Sequence, residues 1–282
     1  MLTTRPSTRQ FIAYVLALLV MYIAVAPFKL VGGTVLVNYF ILDGYYDYGT
    51  ASFPASTIAE MVAFGPVMAV VMSWCYAKSI GSWRAAGLMP CMKARILGLL
   101  FAMAIVLLNT GLLVNRLFNV VSAQAKAFFD ATGLGHDNYV FAYFLDEIVG
   151  HHLMNAGFVL FYLVMAIVPP IDPLPFSKPE HALNGGERVL VLVASAVHGI
   201  IFSIENLEGQ SMVFTLVVMG GMAGAIMIAA MVKRNKMAPL NNPFLLFIVV
   251  QLVVMLAFSV VWGLALGVKP YYPFFYEPSE IA

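Results

Sequence analysis

Long apolar runs separated by short polar breaks dominate this chain, and nowhere do apolar and polar positions alternate for long. Read between the breaks, the runs fall at about 10–31, 56–77, 95–117, 139–168, 188–208, 211–232 and 243–268. Each is about 20 residues or more, the length an α-helix needs to cross a hydrocarbon core of roughly 30 Å. The pattern predicts an all-α integral membrane protein, a polytopic bundle of about seven transmembrane helices. Residues 1–282 read as one membrane domain with no separate soluble domain. A membrane β-barrel is excluded, because its strands alternate in polarity.

Composition agrees. Hydrophobic residues make up 62% of the chain and charged residues 10%, too little polar surface to cover a soluble domain. A net charge of +1 and the lack of a basic block argue against nucleic acid as a partner. The expected partners are the bilayer and an apolar or lipid substrate, and the expected location is a membrane, the cytoplasmic membrane in a prokaryote. Of the fifteen Lys and Arg residues, only Lys29, Arg116, Lys126 and Lys269 fall on one side of the predicted bundle. Positive charge is retained in cytoplasmic loops, so the N-terminus is expected inside and the C-terminus outside. Cys75 and Cys91 lie towards the inner side, where thiols stay reduced, and no disulfide is expected.

The first run follows basic residues and contains Ala24-Val25-Ala26, but its length and Pro27 favour an uncleaved anchor over a signal peptide. The aromatic clusters at 44–53 and 271–276 are expected to sit at the headgroup level. Gly220 and Gly224 form a small-xxx-small pair that predicts close helix packing within the bundle.

The unusual feature is titratable chemistry inside apolar spans. The fourth run carries Asp146, Glu147, His151, His152 and Asn155, and the fifth carries His198 and Glu205. Such groups are expensive in lipid and mark interior sites. At about 100° per residue, Glu147, His151 and Asn155 fall within roughly 80° of one another, while Asp146 points elsewhere. His198 and Glu205 share a face of the fifth helix in the same way. If the two helices enter the membrane at one level, His151 and His198 meet in the outer half. The expected metal ligands are Glu147, His151, His198 and Glu205, with Glu205 or Asp146 as general base. His152, Asn155, Glu60 and Arg116 are expected to be supporting groups or an additional ligand. For Arg116, snorkelling to the interface is the expected role, and an inward turn that neutralises a carboxylate is the alternative.

Mixed carboxylate and imidazole ligands suit Zn²⁺, Fe²⁺ or Mn²⁺, with Zn or Fe the leading choices. The reading that follows is a metal-dependent intramembrane enzyme, a hydrolase acting on a lipid or other apolar substrate near the outer leaflet. Alternatives are a non-haem iron oxidoreductase, a proton- or ion-coupled transporter, and a metal-free ligand-binding or assembly subunit. A serine hydrolase built on Ser195 and His198 is disfavoured: no Gly-x-Ser-x-Gly turn is present, and serines in membrane helices bond their own backbone. Seven spans with the N-terminus inside resemble adiponectin-receptor-type hydrolases in topology alone, since the Ser-x-x-x-His and late His-x-x-x-His motifs are missing. The retinal-binding lysine of heliorhodopsins and the Glu-Glu-x-x-x-Arg motif of prenyl-protein proteases are missing too.

Overall fold

The structure is a computed structural model, and it describes residues 13–18, 20, 21, 23–25, 34–42, 46–85, 90–167, 183–232, 243–268, 275 and 276. A short apolar helix, α1 (Ala13–Val25), opens the described chain. Two antiparallel strands follow, β1 (Thr34–Leu42) and β2 (Tyr46–Pro54), paired from Thr34↔Pro54 to Leu42↔Tyr46. The connection expected to be an aromatic anchor is thus a β-hairpin, and its Val, Ile, Thr and Tyr content is that of a strand. The second cluster, 271–276, lies almost wholly outside the described residues; Phe275 pairs with Val268 through an isolated β-bridge.

Helix α2 starts after Pro54 and runs as Ala55–Val62, a π-helical stretch Ala63–Val67, and Met68–Ala85. Pro66 lies in the π stretch, where its missing N–H and ring bulk oppose regular α-helical bonding. Helix α3 (Cys91–Thr132) is 42 residues long and stops at Gly133, whose φ of 71° suits a residue without a Cβ. Helix α4 runs as His136–Tyr143, a second π-helical stretch Phe144–Gly150, and His151–Ile167. Helix α5 (Gly185–Glu208) opens with a capping box, Asn184 and Glu187 each accepting the other's backbone N–H. Helices α6 (Met212–Val232) and α7 (Pro243–Ala265) complete the bundle.

The bundle is the all-α polytopic one expected. Five helices among the described residues are long and apolar enough to span a membrane, and α1 and the apolar stretch of α6 are shorter. The core is built from Tyr14, Phe161, Tyr162, Phe244, Phe247 and several methionines, all fully buried, while Leu99, Val106, Val253 and Leu264 point outward as lipid-facing side chains do. Helices α3 and α4 pack backbone to backbone. A Cβ on Gly157 would come within 2.5 Å of Leu108 N, and one on Gly150 within 2.7 Å of Asn115 Cα. The close packing expected at Gly220 and Gly224 is not seen among the described residues, where a Cβ at either meets nothing within 4 Å. The small residues at the α3–α4 contact are Gly150 and Gly157 on α4 and Gly111 on α3.

Two departures in length matter for the site. Helix α3 reaches Thr132 rather than ending near 117, and α4 starts at His136, so these two helices project past the end of α5. At about 1.5 Å per residue α3 is roughly 63 Å long, twice the hydrocarbon thickness.

Candidate functional site

The polar groups gather where the last turn of α5 meets α4. A Cβ on Gly209, just past the end of α5, would lie 2.3 Å from His151 Cβ. Glycine there lets the α5–α6 turn touch α4 and puts Glu205 and Glu208 beside the imidazole. His151 Nε2 lies 3.4 Å from Glu147 Oε2 and 3.9 Å from Glu208 Oε2, whereas Nδ1 faces Glu205 Oε2 at 3.4 Å. The imidazole is almost completely buried, its side chain 2% exposed. None of His151 Nδ1, Glu147 Oε2 and Glu205 Oε2 makes a hydrogen bond within the protein.

The π stretch of α4 explains a group that helical geometry misplaced. Its i→i+5 hydrogen bonding turns residues five apart towards one face. Asp146 therefore does not point away from His151. Asn115 on α3 donates from Nδ2 to Asp146 Oδ1 at 2.8 Å and lies 2.9 Å from His151 Nε2, so one amide bridges the carboxylate and the imidazole. Asp146 is itself buried, 1% exposed.

Arg116 turns inward rather than snorkelling. Its Nε is 2.9 Å from Glu60 Oε2, an ion pair by distance whose geometry falls short of a hydrogen bond. Its Nη2 is 3.6 Å from Glu205 Oε1. Glu60, Arg116, Glu205 and His151 therefore form a continuous polar chain from α2 through α3 and α5 to α4.

Asn155 donates to Asn206 Oδ1 at 3.1 Å and to Ser211 Oγ at 2.9 Å. Asn206 Oδ1 also accepts from Ser211 at 2.8 Å and Thr215 at 2.6 Å. This knot fixes the α5–α6 turn that presents Glu205 and Glu208. His152 contacts its own backbone, with Nδ1 2.8 Å from Ile148 O, and takes no part in the cluster. Ser195 donates to Val191 O, the backbone bond expected of a serine in a membrane helix.

The structure places His198 apart from the His151 cluster, on the cavity that Glu205 also lines. It lies 2.7 Å from Tyr162 Oη through Nε2 and is stacked between Phe202 and Phe247. It sits seven residues before Glu205, about 10 Å along α5. Metal–ligand bonds of about 2 Å cannot bridge that separation. The expectation assumed that α4 and α5 enter the membrane level with each other. Because α4 projects past α5, His151 stands opposite Glu205–Gly209 and not opposite His198.

What sequence reading missed was Glu208. Glu147, His151 and Glu208 offer ligand atoms that all lie within 4.8 Å of one another, a group that could hold a metal ion. The signal was the Glu205-x-x-Glu208 spacing, which puts both carboxylates on neighbouring positions of one helix face. Taken over its contacts, the cluster sets five carboxylates, Glu60, Asp146, Glu147, Glu205 and Glu208, against the single guanidinium of Arg116. Carboxylates that ionise here beyond the charge Arg116 balances are costly at this burial, and a cation would offset them.

Two hollows flank the cluster. One is an apolar cavity of about 270 Å³ within the bundle, lined by Leu108, Met154, Phe158 and Phe202, with Glu60, Arg116 and Glu205 among its polar groups. The other is a cleft of about 410 Å³ between the projecting parts of α3 and α4, lined by Tyr139, Tyr143, Asp146 and Glu147. Fold and site together define a polytopic helical membrane protein with a buried carboxylate–imidazole centre. Comparison with protein families, curated proteins and solved structures finds no match to this chain.

Proposed function

We propose that this protein is a metal-dependent intramembrane hydrolase acting on a lipid or other apolar substrate. The observation that carries the reading is the buried His151 imidazole, with Glu147 and Glu208 at one nitrogen and Glu205 at the other. Glu147, Glu208 and His151 Nε2 are the ligands. With a metal bound, His151 Nε2 would turn from Asn115 to the ion, and Asn115 would keep its hydrogen bond to Asp146. Glu205 Oε2, 3.4 Å from Nδ1, is the carboxylate that would orient the ring, as in the carboxylate–histidine–metal arrangement seen in zinc sites. Arg116 holds the other Glu205 oxygen in place. A divalent ion there brings the pKa of bound water down towards about 7.

The two hollows supply what hydrolysis in a membrane needs. The cleft beside Glu147 and Asp146 admits water, and the cavity beside Glu205 accepts an apolar chain. Asp146, oriented by Asn115, is the group positioned to take a proton from that water.

Metal analysis of protein purified in neutral detergent tests the reading. The wild type and His198→Ala are expected to carry a stoichiometric transition metal, and Glu147→Gln, His151→Ala and Glu208→Gln to lose it while remaining monodisperse. A metal-free wild type, or a His151→Ala variant that keeps its metal, would overturn it.

A further inference from the structure

The cleft has a chemistry of its own. Tyr139 and Tyr143 stand one turn apart on α4, ring centroids 6.0 Å apart and planes inclined by 50°. Both line the cleft, as do Asp146 and Glu147. Lys126, the one cation among the described residues lining it, is held by Asp130 at 2.7 Å. A positively charged group within about 6 Å of an aromatic centroid is attracted by the ring face. Of the cluster's charged groups, Asp146 and Glu147 line the cleft with the tyrosines, whereas Arg116 lines the cavity on the bundle side. Aromatic faces beside carboxylates select an organic cation and disfavour phosphate or carboxylate.

We propose that the cleft binds the ammonium head of an organic cation, so that the substrate class of the site is an amine- or choline-headed amphiphile. This assignment of substrate rests on the hydrolase reading above; binding of the cation does not. The tyrosines lie one and two turns outward of Asp146, so the ammonium sits beyond the reacting centre and leaves Asp146 free to act on water. An apolar chain attached to such a head has the cavity beside Glu205 available on the other side of His151.

Calorimetry on the purified full-length protein in neutral detergent tests this with three probes: choline, its neutral isostere with carbon in place of nitrogen, and dodecyltrimethylammonium. Choline is expected to bind at least tenfold more tightly than the isostere. The Tyr139→Leu/Tyr143→Leu variant should lose about tenfold in choline affinity with its metal content unchanged, and Tyr139→Phe/Tyr143→Phe should keep the affinity. Tighter binding of the chain-bearing cation than of choline identifies a lipid headgroup as the source, and equal binding a free cation; either supports the site. Equal affinity for choline and the isostere, or no loss in the Leu variant, overturns it. A protein without metal that still discriminates choline from its isostere would refute the hydrolase reading and leave the cation site standing.

Discussion

Arg116 shows how much depends on one side chain in this setting. Its guanidinium contacts Glu60, whose side chain is only 6% exposed, and Glu205, which faces His151. Removing one member of a buried ion pair leaves the other uncompensated, at about 3–5 kcal/mol. Arg116→Leu is therefore expected to lower the thermal unfolding midpoint in detergent markedly, because it exposes two carboxylates to each other. Adding Glu60→Gln removes one of those charges and should recover a large part of the loss. A double variant no more stable than Arg116→Leu alone would show that the guanidinium acts by packing and not by charge. The inward turn of Arg116 was not legible in the sequence. A cation near a span end reads equally as an interfacial anchor, and only the burial of Glu60 on α2, a helix distant in sequence, decides between them. Glu147 and His151, in contrast, were legible, because their spacing survives the local change in helix type.

At the level of elements, hydropathy located the seven helices seen among the described residues and misjudged where two of the polar groups stand. The segment after residue 117 reads Phe118-Asn-Val-Val-Ser-Ala-Gln-Ala-Lys126, polar enough to mark the end of a membrane span. It also consists largely of residues compatible with a helix, so α3 simply continues to Thr132. The end of hydrophobicity is not the end of the helix, and the false level assigned to α4 placed His198 at the site. The second missing element was the π stretch Phe144–Gly150, which no periodicity in so short a window reveals. Such bulges are one-residue insertions into an α-helix and recur at functional sites. Deleting Val149 should let the stretch relax to an α-helix and swing Asp146 off Asn115. The expected result is unchanged helical circular dichroism with loss of the bound metal. Full retention of metal in the deletion variant would show that the π geometry is incidental to the site.

The whole molecule is asymmetric about the membrane, and this can be measured. A helix of about 63 Å fits inside a core of roughly 30 Å only at a tilt near 60°, well beyond the 0–40° observed for membrane helices. The α3–α4 hairpin must therefore stand out of the bilayer on one side, with Leu134, 66% exposed, at its tip. The cleft opens in this projecting part, which gives the cluster access to water while the apolar cavity stays within the bundle. Exposed Cys91 begins α3 at its opposite end, and Cys75 is buried. Retention of Lys and Arg in cytoplasmic loops predicts the Cys91 end inside and the hairpin outside. A membrane-impermeant maleimide applied to intact cells should accordingly leave wild-type Cys91 unlabelled until the cells are permeabilised. The same reagent should label Leu134→Cys at once in a Cys75→Ala/Cys91→Ser background. The reverse pattern would turn the protein over in the membrane, placing the cleft and its carboxylates in the cytoplasm and drawing any water and cationic ligand from that side.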